Sequence, residues 1–335
     1  MPLIEVENLR KEYKINERDE GLRGAIFNLF NPKFVTKVAV NNINFSIDQG
    51  EMVGYIGANG AGKSTTIKML TGILTPTTGK VTVNGIIPYK NRIKNNMQIG
   101  VVFGQRTQLW WDIPVIESYK LLQKIYEVPI DVHKKNLDLF IDFLDLGELL
   151  KVPVRQLSLG QKMRCEIAAA FLHNPKIVYL DEPTIGLDFM VKEKIREFIK
   201  TLNKETGATV ILTTHDLQDI EEICNRVIII DKGDKMFDGD LEEIKNKFGD
   251  ECVITFKVKN SAQSLQEALN SKSDSVEIIN LDAHNIDLKF TRKQIPVAEV
   301  ISLVSSHCDI ADISINEASI DSIVKELFAQ VIIKR

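Results

Sequence analysis

Along most of the chain, short and almost continuously apolar runs alternate with stretches in which apolar residues recur every three or four positions. "EMVGYIG", "KIVYLDE", "ATVILTTH" and "RVIIIDKG" are runs of the first kind, the pattern of parallel strands covered on both faces. Ile67, Leu70 and Leu74 set out a helix face after the first of them, and Met163, Ile167, Ala170 and Phe171 set out another before the second. Such alternation predicts an α/β architecture with its functional loops at the carboxyl ends of the strands. The pattern changes after residue 244. A charged stretch, "LEEIKNKFGDE", leads into strand "CVITFKV", helix "SLQEALN", strands "SVEIIN" and "NIDLKF", helix "VAEVISLVSS", strand "IADISI" and a closing helix "SIDSIVKELFAQVI". That order, β-α-β-β-α-β and a helix, predicts a small ferredoxin-like α+β domain. The expected domains are therefore 1–244 and 245–335. Within the first, residues 16–37 read as an insertion between two strands. Leu22, Ile26, Phe27, Leu29 and Phe30 recur there at helical spacing, for a helix packed on its own domain or laid against a membrane partner or lipid surface.

Composition narrows the classes. The 335 residues are 44% hydrophobic and 26% charged, ordinary for a globular chain with ample core. A formal charge of -4 argues against a broad nucleic-acid surface. Cys165, Cys224, Cys252 and Cys308 are scattered, with no CxxC pair; His307 and Cys308 are adjacent and point different ways on a regular element, so reduced cysteines and no metal cluster are expected. His284, between Ala283 and Asn285, reads as a turn residue. No basic leader opens the sequence and no run reaches the roughly 20 apolar residues that span a bilayer. The chain is not expected to cross a membrane by itself.

The chemistry gathers at strand ends. "GANGAGKST", Gly57 to Thr65, fits G-x-x-x-x-G-K-[ST] between a strand pattern and a helix pattern, the context that makes this string a phosphate site. Gly57, Gly60 and Gly62 let the main chain curl so that its N–H groups face a phosphate, Lys63 reaches the β- and γ-phosphates, and the Ser64 hydroxyl ligates Mg²⁺. By composition alone the string arises in about one chain in a hundred of this size, so chance is a weak rival. "KIVYLDEPT" ends a strand with Asp181, suited to Mg²⁺, and Glu182, suited to orienting or deprotonating a water. "TVILTTHD" brings His215 to a strand end, where it can contact a γ-phosphate, and "VVFGQ" brings Gln105 there as a neutral ligand or water-positioner. Far along the chain "RQLSLGQKMRCE" reads as a second helix start fit for an anion, with Ser158 as cap and Gly160 giving close approach.

Taken in order, these motifs resemble the ATP-binding subunit of ABC transporters, over roughly residues 1–244. Tyr13, the loop Gly57–Thr65, Gln105, "LSLGQ", "IVYLDEP", "GLD" at Gly186–Asp188 and His215 carry the resemblance. Leu159 departs from the glycine commonest at that place in the signature. The resemblance implies a P-loop ABC ATPase domain with a helical signature subdomain at about 106–173, holding ATP and Mg²⁺. ATP would be bound by Tyr13 (stacked on adenine), Gly57, Asn59, Gly60, Gly62, Lys63, Ser64 and Thr65; the metal by Ser64, Gln105 and Asp181; catalysis would fall to Glu182, His215 and Gln105. In that family the signature helix start binds the γ-phosphate held by a second subunit. This implies that Ser158, Gly160 and Gln161 act in trans, with Asp188 in the D-loop, in a homodimer or heterodimer of nucleotide-binding subunits.

The resemblance further implies integral membrane permease subunits as partners, a peripheral place at the cytoplasmic face of the cell membrane, and no nucleic acid. Tail and signature look most like bacterial export systems with separate membrane subunits. Trp110 and Trp111 then read either as an aromatic anchor for the membrane subunit or as core of the helical subdomain. Import, a soluble ABC-type ATPase acting on ribosome or DNA, and a slowly hydrolysing nucleotide switch are the competing readings.

Overall fold

The computed structural model describes residues 2–17, 33–104, 106–214, 216–248, 251–259, 276–282 and 284–317. It divides into two compact units, Met1–Gly239 and Asp240–Arg335.

In the first unit the apolar runs form a six-stranded sheet. Its members are β3 (Met52–Gly57), β5 (Ile99–Phe103), β6 (Ile177–Asp181), β7 (Thr209–Thr213), β8 (Arg226–Asp231) and β9 (Asp234–Asp240), in the order β5-β6-β7-β3-β8-β9. The pairings β5–β6, β6–β7, β7–β3 and β3–β8 are parallel, so these strands present their carboxyl ends along one edge. A smaller antiparallel sheet places β1 (Ile4–Glu17) between β2 (Lys33–Ile47) and β4 (Thr78–Val83). Its inner residues, among them Ile4, Val6 and Val81, share one buried cluster with Tyr55, Ile228 and Ile230 of the larger sheet. Helix α1 (Lys63–Leu70) puts Ile67, Met69 and Leu70 into that cluster. It ends sooner than the apolar spacing predicts: Thr71 is the C-cap and Gly72 turns at φ +78°, so Leu74 reaches the core from beyond the helix.

After α2 (Arg92–Asn96) and β5 come α3 (Val115–Ile125), α4 (Ile130–Leu144) and α5 (Leu159–Phe171). The predicted face of α5, Met163 to Phe171, is buried. Trp110 and Trp111 are not core, however, being 41% and 51% exposed, which corrects that alternative. Two further helices, α6 (Phe189–Thr206) and α7 (Leu217–Ile223), follow β6 and β7. Strand β1 continues to Glu17, which pairs with Lys33 at the start of β2, so both ends of the 16–37 stretch are strand; Leu22 to Phe30 lie outside the described residues.

The second unit starts with α8 (Leu241–Phe248) and holds β10 (Glu251–Val258), β11 (Val276–Leu281), β12 (Asn285–Thr291), α9 (Val297–Ser305) and β13 (Ile310–Glu317). Its sheet is antiparallel in the order β11-β12-β10-β13, the strand order of a ferredoxin-like domain. Cys252, Ile254 and Phe256 alternate inward against Val300 and Val304 of α9. His284 sits in the β11–β12 turn, its Nδ1 3.3 Å from the Val258 carbonyl. The two expected helices at 264–270 and 319–332 fall outside the described residues. All four cysteines are free and buried, and no helix among the described residues is long and apolar enough to cross a membrane.

Candidate active site

Between β3 and α1 the chain must curl within a few residues, and glycine geometry makes this feasible. Gly60 and Gly62 stand at φ +82° and +112°. A Cβ on Gly57 would lie 2.5 Å from the Ile230 carbonyl oxygen, and one on Gly62 2.4 Å from that of Ala39. The loop therefore nests against β8 and β2, and α1 starts at its far end with unbonded N–H groups. Lys63, 6% exposed, donates from Nζ to the carbonyls of Gly57 (2.5 Å) and Ala58 (3.3 Å). Burial lowers the pKa of this ammonium, while Glu182 and Asp181 pull it back up.

The parallel register brings the end of β6 to the same edge. Asp181 Oδ1 accepts from Ser64 Oγ at 3.4 Å and from Thr213 Oγ1 at 2.5 Å. A hydroxyl and a carboxylate this close, beside a phosphate loop, supply the hard oxygen donors that Mg²⁺ takes when phosphates and water complete its shell. No cluster of three or more His, Cys, Asp or Glu side chains fit for a metal occurs among the described residues. Such a donor set suits a nucleotide-borne metal ion better than a resident one.

Glu182 follows at φ +58°, a conformation unusual for a residue with a side chain. Its N–H donates to the Thr213 carbonyl at 2.8 Å, and Gly104 packs so closely that a Cβ there would lie 2.4 Å from the Glu182 carbonyl oxygen. A cleft of about 860 Å³ is lined by Tyr13, Asn59, Lys63, Thr65 and Glu182. An adjoining hollow of about 490 Å³ shares Asn59, Ser64 and Glu182 and adds Arg106, Asp181 and Ile185. Tyr13 on β1 thus shares a cleft with the phosphate loop, with the Lys11 ammonium 5.4 Å from its ring centre. Lys14, Lys37 and Ala39 line the same cleft and were not foreseen; only their position beside Tyr13 on the β1–β2 pair could have pointed to them. Gln105 and His215 lie outside the described residues, although Gly104, bonded to the Asp181 carbonyl at 2.8 Å, and Thr214 flank them.

The signature residues are placed elsewhere. Ser158 caps α5: its Oγ accepts from the Gln161 N–H at 3.3 Å, and Gln161 Oε1 accepts from the Ser158 N–H at 2.9 Å. Ser158 is exposed and Gly160 half-buried, and neither hollow beside the phosphate loop is lined by them or by Gln161. Asp188 caps α6, accepting from the Val191 N–H at 3.0 Å.

Behind the strand ends lies a polar network that the sequence pattern did not reveal. Asp219, fully buried, accepts from Arg196 Nε at 2.6 Å, from Thr184 Oγ1, and from Thr214 Oγ1 at 3.3 Å. Arg196 also bonds Glu222 at 2.9 Å, and Lys192 pairs with Asp216 at 2.5 Å. Burial pushes the Asp216 carboxyl up, but Lys192 and then Arg196 hold it below its ordinary range. The turn after Glu182 and the segment flanking residue 215 are thereby tied to one carboxylate.

The model of the ABC transporter family matches residues 40–185. The linearmycin resistance ATP-binding protein LnrL of Bacillus subtilis is 29% identical over 87% of this chain and 94% of its own length. The methionine import ATP-binding protein MetN 2 of Enterococcus faecalis is 31% identical over 80% and 73%. Other relatives are much longer: the chain is 31% identical to the rat cholesterol transporter ABCA5 over 79% of its residues, which is 16% of that protein. Among solved structures, the dimeric post-hydrolysis state of the ATP-binding cassette MJ0796 bound to ADP and Pi superposes with a TM-score of 0.60, 28% identity, 71% of this chain and 98% of that one. With the family model over the phosphate loop and the acidic strand end, and with a 31% identical relative covered to 73% of its length, the chain belongs to the ABC transporter family, as an ATP-binding ATPase subunit.

Proposed function

We propose that the chain drives export by closing on a second nucleotide-binding subunit around two molecules of Mg-ATP. The observation that carries this reading is the separation of its two half-sites. Lys63, Ser64, Asp181 and Glu182 share two adjoining hollows, whereas Ser158 and Gly160 open toward neither. In the closed pair each ATP meets Tyr13, Asn59, Gly60, Lys63, Ser64 and Thr65 of one chain and Ser158, Gly160 and Gln161 of the other, with Asp188 near the junction. Ser64, Asp181 and Gln105 would hold Mg²⁺, which would neutralise charge on the phosphates. Glu182 orients the attacking water and accepts its proton, and His215 senses or stabilises the γ-phosphate. Most of the rate enhancement is electrostatic positioning. Closure by a 10⁴-fold preference of ATP for the shut dimer corresponds to about 5.5 kcal/mol, a bias that hydrolysis removes.

Membrane subunits receive that work, which places the chain peripherally at the cytoplasmic face of the membrane; exposed Trp110 and Trp111 suit an aromatic anchor there. Outward transport is supported by the resistance protein, matched over nearly its whole length, and import by the methionine relative, matched over less. Light scattering during size exclusion tests the core of the reading. Glu182→Gln is expected to run as a monomer alone and as a dimer with Mg-ATP. A variant that binds Mg-ATP and stays monomeric, with or without membrane subunits, overturns the shared site.

A further inference from the structure

Glu166 lies two turns along α5 from the Ser158 cap and is 3% exposed. A carboxylate in such a place is costly unless donors surround it. The donors come from one segment, residues 107 and 108, just beyond Gln105. Thr107 Oγ1 donates to Glu166 Oε1, and the Gln108 N–H donates to Oε2 at 3.1 Å. The Gln108 side chain returns the contact, its Nε2 donating to the Glu166 carbonyl at 3.1 Å. Burial raises the carboxyl pKa, while the bonds from Thr107, Gln108 and Leu109 oppose the rise.

The segment is bound to the same part of the chain farther on. The Arg155 N–H donates to the Trp111 carbonyl at 3.0 Å, Arg155 pairs with Asp112 at 3.3 Å, and Lys162 Nζ stands 5.3 Å from the centre of the Trp111 ring. Of these, the exposed Arg155–Asp112 pair and the Lys162–Trp111 contact contribute little. Glu166 is the buried one, an acceptor-only group in a position that N–H and O–H donors face from the other element. At its near end the segment continues from Gly104, which is bonded to the Asp181 carbonyl. One short stretch therefore links the strand end that holds Asp181 to the helix that presents Ser158 and Gly160.

We propose that Glu166 is a positioning residue that locks residues 107–112 to the helix opening at Ser158, so that closure of the signature half-site and displacement of this segment are one movement. The proposal rests on the shared-site reading and names the side chain that connects the two half-sites within a chain. Thr107 is the partner it acts through.

Both tryptophans of the chain lie in this segment, so their emission reports its displacement directly. In the Glu182→Gln background, Mg-ATP is expected to produce the dimer together with a change in tryptophan emission. Adding Glu166→Gln, or separately Thr107→Val, is expected to leave the ATP-driven dimer and a cooperative thermal transition in place while removing at least half of the emission change. The two substitutions together should remove no more than Glu166→Gln alone, because both act on the Thr107–Glu166 contact. Thr107→Val preserves side-chain shape, so an effect shared by both variants does not come from misfolding. A full emission change in both variants overturns the proposal, as does a parent that dimerises with no emission change. Failure of the parent to dimerise on Mg-ATP is a different result and overturns the shared site on which the proposal stands.

Discussion

Glu182 occupies backbone space that costs a residue with a Cβ roughly 1–2 kcal/mol. Nothing in "KIVYLDEPT" foretells it, for the same letters fit an ordinary strand end followed by a capped turn. The conformation arises because the Glu182 N–H is bonded to β7 while Gly104 packs against its carbonyl. These contacts aim a carboxylate into the cleft that Lys63 lines. The strain is separable from the chemistry by substitution. Glu182→Gly is expected to be more stable than Glu182→Ala by about 1 kcal/mol in urea unfolding, since only glycine takes positive φ without a steric cost. Equal stabilities would mean that the backbone relaxes once the carboxylate is gone. Lys63, by contrast, was legible from its motif alone, because the glycines that shape its loop are themselves sequence features.

Elements show the same division between what sequence displays and what only folding assembles. Strands β3, β6, β7 and β8 were legible because burial on both faces leaves unbroken apolar runs. The α5 start was legible from Ser158 as a cap just before an apolar face at helical spacing. The Arg196–Asp219 pair was not: on α6 and α7 these residues read like solvent-facing charges, and only the packing of two helices against two strand ends encloses them. Glu166 was hidden for a similar reason, its partner being 59 residues away. Asp219→Ala leaves Arg196 buried without its main partner and is expected to lower stability by about 3–5 kcal/mol, measured by urea unfolding. A loss below about 1 kcal/mol would show that Glu222 and Asp216 suffice for Arg196.

For the molecule as a whole, the shared site proposed above becomes a quantitative expectation if two copies of this chain pair symmetrically. Lys63→Ala removes the phosphate half and Ser158→Arg the signature half, so each variant alone should lose nearly all ATPase activity. Mixed in equal amounts they should recover about a quarter of the wild-type rate, because half of the pairs carry one intact composite site of two. No recovery would mean that the sites do not hydrolyse independently or that the chain pairs with a different subunit. The strand order has a consequence for how the chain is made. β3, which carries the phosphate loop, lies between β7 and β8, so Val53 must wait for Ile211 and Arg226. At ordinary translation speeds that wait is roughly 10 to 35 s, during which an apolar strand has no sheet to join. The nucleotide cleft is thus among the last parts of the first unit to mature on the ribosome, and the nascent chain spends that interval with an unpaired apolar strand in need of shelter.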